Sequence, residues 1–363
     1  MIAGTPCQAK PDYAPTPSNS RATAVNIVDP FFHQLRRTPV VLRYASTVYL
    51  FNCAFNSSNV ADIIDVLQIP RVLGFVFPSK VVLQKKELEL PASLGRLTTL
   101  LWLEVYAANL VRVEPAAIDG LRQLRLLNLR NNRLTSIPSE IGHLTGLLEV
   151  FLQGNPKLAS LPTAFWGLTS LRRLRLNGNA ISVVPSLLGR LTNLDELWLN
   201  QMKLADLPSS IGRLTALGSA DVFPHAKQLR LDGNALTRLP SQLGLLTQLR
   251  TLRFDDNKLT HVPPELGRLL RLKTLEMSGN RLTSVPDFVA GMASLHSCNV
   301  ENNMIAAVVG WGVVEAADEG EGGTVAGACC NASRVVKLKG NPVCANGMMR
   351  PPSCGWCANV SCG

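Results

Sequence analysis

Aromatic side chains are scarce in this 363-residue chain, at 6% against 46% hydrophobic residues overall. A core built from it must be aliphatic, and leucine is the residue on hand. Histidine is scarcer still: His33, His143, His225, His261 and His296 are scattered, and none has a metal-ligand partner at helical spacing. No Gly-x-x-x-x-Gly-Lys loop occurs, and the run Gly320-Glu-Gly322-Gly323 lacks a strand before it and a helix after it, so it reads as a linker. Nothing in the histidine or loop pattern points to a catalytic triad or a cofactor, and the chain is expected not to be an enzyme. No uninterrupted apolar run is long enough to span a membrane; the best candidate, residues 40–55, carries Arg43 and Asn52. Residues 1–19 are rich in Pro, Ser and Thr and lack the basic start, apolar stretch and cleavage site of a secretory signal.

What the chain has is a repeat. From Leu97 one phrase returns: "LRQLRLLNLRNNRLTSIPSEIGH" from Leu121, "LTSLRRLRLNGNAISVVPSLLGR" from Leu168, "LTNLDELWLNQMKLADLPSSIGR" from Leu191, and "LLRLKTLEMSGNRLTSVPDFVAG" from Leu269. The step from Leu168 to Leu191 is 23 residues. In Leu124-x-x-Leu127-x-Leu129 the last two leucines alternate as in a short strand with one buried face. Stacked copies predict a parallel sheet. Asn132, three residues after Leu129, recurs as Asn155, Asn179, Asn234, Asn257, Asn280 and Asn303. Buried amides must be hydrogen-bonded, so a ladder of side-chain bonds to neighbouring backbone is expected, broken at Ala108 and Met202. The Ile137-Pro138 step ends the pairing, and the following Ser-x-x-Ile-Gly-x-Leu suits a short helical turn.

These motifs strongly resemble the leucine-rich-repeat superfamily over most of the chain. The resemblance implies an α/β solenoid, a horseshoe with a concave parallel β-sheet and short helical or extended convex segments. Leu42, Ala45, Val48 and Leu50, then Val72, Phe75 and Phe77, extend the spacing towards the N-terminus, and Val336, Leu338 and Asn341 make a last strand. The expected organisation is a disordered segment over 1–38, irregular capping repeats over 39–96, and the regular array over 97–308. A Gly, Ala and Glu-rich loop over 309–333 and a Cys-rich cap over 334–363 follow. Eleven residues separate Leu217 from Leu229 where two are normal. The insertion, 218–226, reads as a tolerated surface loop.

Six of the nine cysteines, Cys329, Cys330, Cys344, Cys354, Cys357 and Cys362, fall near the C-terminus. An even cluster suggests disulfides closing the end of the core. Cys354-Gly-Trp-Cys357 also has zinc spacing, but a second such pair is absent and zinc ranks below disulfides. "Asn341-Pro342-Val-Cys344" is similar to the caps of leucine-rich-repeat ectodomains. Glycosylation sequons stand at Asn56, Asn331 and Asn359. Cap and sequons favour an extracellular or cell-surface location; the missing signal favours the cytoplasm, unless the N-terminus is incomplete.

In such an array function lies on the outward strand positions. These include Trp102, Tyr106, Phe151, Arg173, Arg175, Trp198, Arg230 and Arg253. Arg and Trp are enriched in binding hot spots, so these eight are the expected partner-binding residues, with an acidic or amphipathic ligand. The repeat phrase is similar to that of intracellular Ras-group scaffolds, and the Cys-rich end to receptor-like ectodomains. Both resemblances imply binding of a protein or peptide on the concave face, in signalling or defence. The formal charge of +10 leaves an alternative, a basic surface for nucleic acid or anionic membrane. Against it, the arginines read as dispersed over many repeats. A metal-dependent enzyme is the remaining rival.

Overall fold

The computed structural model describes residues 23–27, 45–50, 74–77, 87–219, 228–306, 335–337, 339, 341 and 360–361. They fall into two compact units, residues 1–171 and 172–363. The six cap cysteines, the sequons at Asn56, Asn331 and Asn359, the 309–333 loop and residues 220–226 of the insertion lie outside the described residues.

The strands of the first unit are β1 (Thr23–Ile27), β2 (Ala45–Leu50), β3 (Gly74–Phe77), β4 (Leu88–Leu90), β5 (Trp102–Val105), β6 (Leu110–Val113), β7 (Leu126–Asn128) and β8 (Glu149–Phe151). Neighbours in the order β1-β2-β3-β5-β7-β8 pair in parallel, and β4 pairs with β6 as a separate parallel ribbon. β1 lies inside the stretch expected to be disordered. Its β-branched sequence, Thr-Ala-Val-Asn-Ile, favours a strand, although the Pro and Ser around it dominate the composition. In the second unit β9 (Arg173–Arg175), β10 (Glu196–Trp198), β11 (Gln228–Arg230), β12 (Thr251–Arg253), β13 (Thr274–Glu276), β14 (Ser297–Asn299), β15 (Val335–Lys337) and β16 (Val360–Ser361) pair in chain order, all parallel. The insertion before β11 leaves the register intact, with Leu197 opposite Leu229 and Trp198 opposite Arg230.

Each unit is a solenoid of repeats. After each of β9, β10, β11 and β12 the chain turns through a proline into a five-residue 3-10 turn, whereas β13 is followed by a four-residue α-helix, Phe288–Gly291. Pro185, Pro208, Pro240 and Pro263 precede Ser186–Arg190, Ser209–Arg213, Ser241–Leu245 and Pro264–Arg268. Proline's fixed φ and missing donor suit the residue just before such a turn. The glycine inside each turn answers to packing: a Cβ on Gly244 would stand 2.2 Å from the carbonyl oxygen of Glu265 in the next turn. The core lies between strand and turn. Leu174, Leu197, Leu229, Leu252 and Leu275 are fully buried in register, and Cys298 continues their column as a buried thiol.

The asparagine ladder is present. Asn257 donates from Nδ2 to the carbonyls of Leu231 at 3.1 Å and Phe254 at 3.0 Å, and its Oδ1 accepts the Leu236 N–H at 3.0 Å. Asn132, Asn155, Asn234, Asn280 and Asn303 repeat the scheme. Asn341 extends it, accepting from Asn303 and Ile305 N–H and donating to the Val300 carbonyl. The residue just before the ladder position is left-handed throughout: Asn131, Gln201, Asp256 and Asn302 have φ of 50° to 55°, and Gly154, Gly178, Gly233 and Gly279 have φ of 63° to 72°. That conformation selects Gly, Asn or Asp and explains the recurrent Gly-Asn pair.

Candidate functional site

A strand alternates its side chains, so burying Leu174, Leu197, Leu229 and Leu252 turns their neighbours to the other face of the sheet. In the second unit the parallel register sets Arg175, Trp198, Arg230, Arg253, Glu276 and Asn299 in one row across successive strands. Trp198 sits between two guanidinium groups, with the Arg175 Cζ 4.2 Å and the Arg230 Cζ 5.2 Å from its ring centroid. Cations over an indole face are attracted by its quadrupole. The ring is thereby held in one orientation.

The arginines themselves are anchored. Arg175 donates from Nε to Glu196 Oε1 at 2.5 Å, and the Glu196 side chain is only 1% exposed. Arg230 reaches both carboxylate oxygens of Asp232 at 3.2 Å, and Arg253 Nε lies 3.4 Å from Asp255 Oδ2. Asp255 also accepts from the N–H and hydroxyl of Ser278. Arg173 occupies the outer row, opposite Glu196. The repeat spacing alone does not reveal these pairings, which depend on side-chain direction across strands. At the end of the row, burial pushes the Glu276 carboxyl above its ordinary value, Asp255 adds to that, and a hydrogen bond from Asn299 works against it.

Beside this row the groups are incompletely satisfied. Trp198 Nε1, Asn177 Oδ1 and Asn200 Oδ1 are buried and have no hydrogen-bond partner among the described residues. Asn200 is 3% exposed. Unpaired buried polar atoms are uncommon in folded proteins, and here three fall on two neighbouring repeats.

The first unit presents its own outward row. Glu104 stands opposite Asn128, and Asn128 opposite Phe151. Asn128 Nδ2 donates to Glu104 Oε2 at 3.0 Å. Tyr106 lies 4.8 Å beneath the Arg130 guanidinium carbon. Trp102 and Phe151 are half-buried on the same face. Among the described residues no three His, Cys, Asp or Glu side chains gather as metal ligands, and no helix is long and apolar enough to cross a membrane.

Residues 108–223 match the family described as a leucine-rich repeat region. Among solved structures, the Arabidopsis receptor kinase HAESA, determined with the peptide hormone IDA and the co-receptor SERK1, is 27% identical with a TM-score of 0.60; the match covers 80% of this chain and 48% of that one. A TDR receptor is 23% identical with a TM-score of 0.61, covering 89% and 54% of the two chains. An internalin (inlF) from Listeria monocytogenes is 18% identical with a TM-score of 0.54, covering 74% and 77%. The last two show the fold alone. The chain spans about half the length of the two receptor chains. No curated protein matches it.

Proposed function

Because this chain is a member of the leucine-rich-repeat superfamily, a class of protein-interaction modules, we propose that it binds an extended peptide or protein segment on the outward face of its sheet. The observation that carries the proposal is the Arg175–Trp198–Arg230 row: an aromatic ring and two guanidinium groups fixed in register on three adjacent strands. Preorganised Trp and Arg groups lose little entropy on binding. Arg173 and Arg253 flank the row in the second unit. In the first unit Trp102, Tyr106 and Phe151 offer a separate set of aromatic side chains, half-buried and on outward positions. HAESA, with its peptide hormone, supports a peptide as the ligand class.

Since Glu196, Asp232 and Asp255 already balance three of the arginines, the ligand needs main-chain donors and acceptors more than negative charge. The reading is tested by selecting peptides against the full chain from a random display library. Trp198→Ala should weaken the selected peptides by at least about tenfold, the scale of a hot-spot truncation. Leu270→Thr, on a different surface, should leave them unchanged. Affinity indifferent to Trp198 would contradict the proposal.

A further inference from the structure

Read along the chain, the arginines are dispersed; stacked, some of them gather. In the second unit Arg190, Arg213 and Arg268 each end a 3-10 turn, and Leu245 ends the turn between the latter two. These side chains lie over the preceding turn: Arg213 rests against Gly189, and Leu245 against Gly212. The segments that run from the last two of these turns into the next strands carry cations and no acid. Residues 243–251 and 266–274 contain Arg250, Arg268, Arg271 and Lys273 and not one Asp or Glu. All four cations are exposed. Among the described residues none faces a carboxylate within ion-pair distance, and Arg271 donates to the neutral Gln248 at 2.6 Å.

Two leucines stand in the open among these cations. Leu245 is 47% exposed and Leu270 is 68% exposed. Neither is what the repeat calls for, since Leu245 replaces the arginine of its neighbours, and Leu270 stands where Thr192, Thr215 and Thr247 stand in theirs. Leu245 packs on Gly212 as the Arg213 stem packs on Gly189, so leucine adds no packing that the arginine stem would lack, while its exposed part and that of Leu270 face water. Four unpaired cations around two exposed leucines suit a surface that is both anionic and apolar at shallow depth. A bilayer with anionic headgroups is such a surface: cations meet the phosphates while leucines enter the acyl boundary. A nucleic acid would use the cations but not the leucines, and these two segments offer no aromatic ring for a base to stack on.

We propose that the surface formed by residues 243–251 and 266–274 is a peripheral docking site for an anionic lipid membrane, with Leu245 and Leu270 as the inserting groups. This site is separate from the outward sheet face, and either proposal stands if the other fails. The test is co-sedimentation of the full chain with vesicles of phosphatidylcholine containing about 30% phosphatidylserine, compared with pure phosphatidylcholine. Binding should require the anionic lipid and weaken with salt. Arg268→Ala/Lys273→Ala should lower it by about tenfold or more.

The discriminating variant is Leu245→Arg/Leu270→Thr. It gives each repeat the residue its neighbours carry, so folding is preserved, and it adds one positive charge while removing both leucines. The proposal expects vesicle affinity to fall by roughly tenfold despite that charge. Unchanged or tighter vesicle binding by this variant would overturn the proposal, as would no difference between the two vesicle compositions. Equal binding to a random-sequence DNA duplex, undiminished in the same variant, would also overturn it and reassign the patch to polyanions in general.

Discussion

Trp198 and its two arginines illustrate how a repeat turns sequence spacing into a fixed surface. The repeat period sets which residues stand side by side, and ion pairs to Glu196 and Asp232 fix where the guanidinium groups point. The period was legible in the sequence, and with it the row of outward positions. The pairings were not, because they depend on rotamers across strands. Glu276 belongs to the same row and allows a test by pH. Its carboxyl is raised above its ordinary 4.5, first by burial and then by Asp255, so the folded chain holds that proton more tightly than the unfolded one. The stability this contributes is present below about 4.5 and is lost as pH rises through the raised value. Glu276→Gln should therefore raise the melting temperature at neutral pH, and its advantage should shrink as the pH falls towards 4.5. An advantage independent of pH would point to a cause other than ionisation.

At the scale of the element, the ladder asparagines and the left-handed residues before them set the bend of each repeat. Asn257 satisfies the Leu231 and Phe254 carbonyls and the Leu236 N–H. Asn257→Ala leaves buried polar groups unpaired and should cost about 3 kcal/mol in denaturant unfolding; a loss near zero would mean that water replaces the amide. The ladder was legible because asparagine recurs at one spacing. Ala108 and Met202 interrupt it as the spacing shows, and both are buried, at 2% and 6% exposed. The left-handed position was less legible. Gly and Asn fill it in most repeats, but Gln201 takes the same conformation at φ 52°, where a side chain gains nothing from the local backbone. Gln201→Gly should stabilise the fold by about 1 kcal/mol, read as a higher denaturation midpoint with an unchanged slope. The proline-led turns followed from Pro138 and its equivalents. The reason for their glycines became visible only when adjacent turns were placed in contact.

For the molecule as a whole, the leucine period dictated the fold class, since no single repeat buries enough surface to stand alone and stacking is the remedy. Charge was harder to read from a linear sequence. Arg190, Arg213 and Arg268 are far apart along the chain yet occupy equivalent places in the stack, and Leu245 and Leu270 are conspicuous only against their repeat equivalents. β1 was hidden for a different reason: a five-residue strand carries little periodic signal inside a Pro- and Ser-rich segment.

The central claim, that the outward sheet face receives a peptide, is tested most directly by hydroxyl-radical footprinting of the full chain with and without a selected peptide. The account predicts that bound peptide protects Trp198 from oxidation while the exposed Met304 is modified equally in both states. Protection absent at Trp198, with the peptide saturating the chain, would contradict it and place the interaction on another surface.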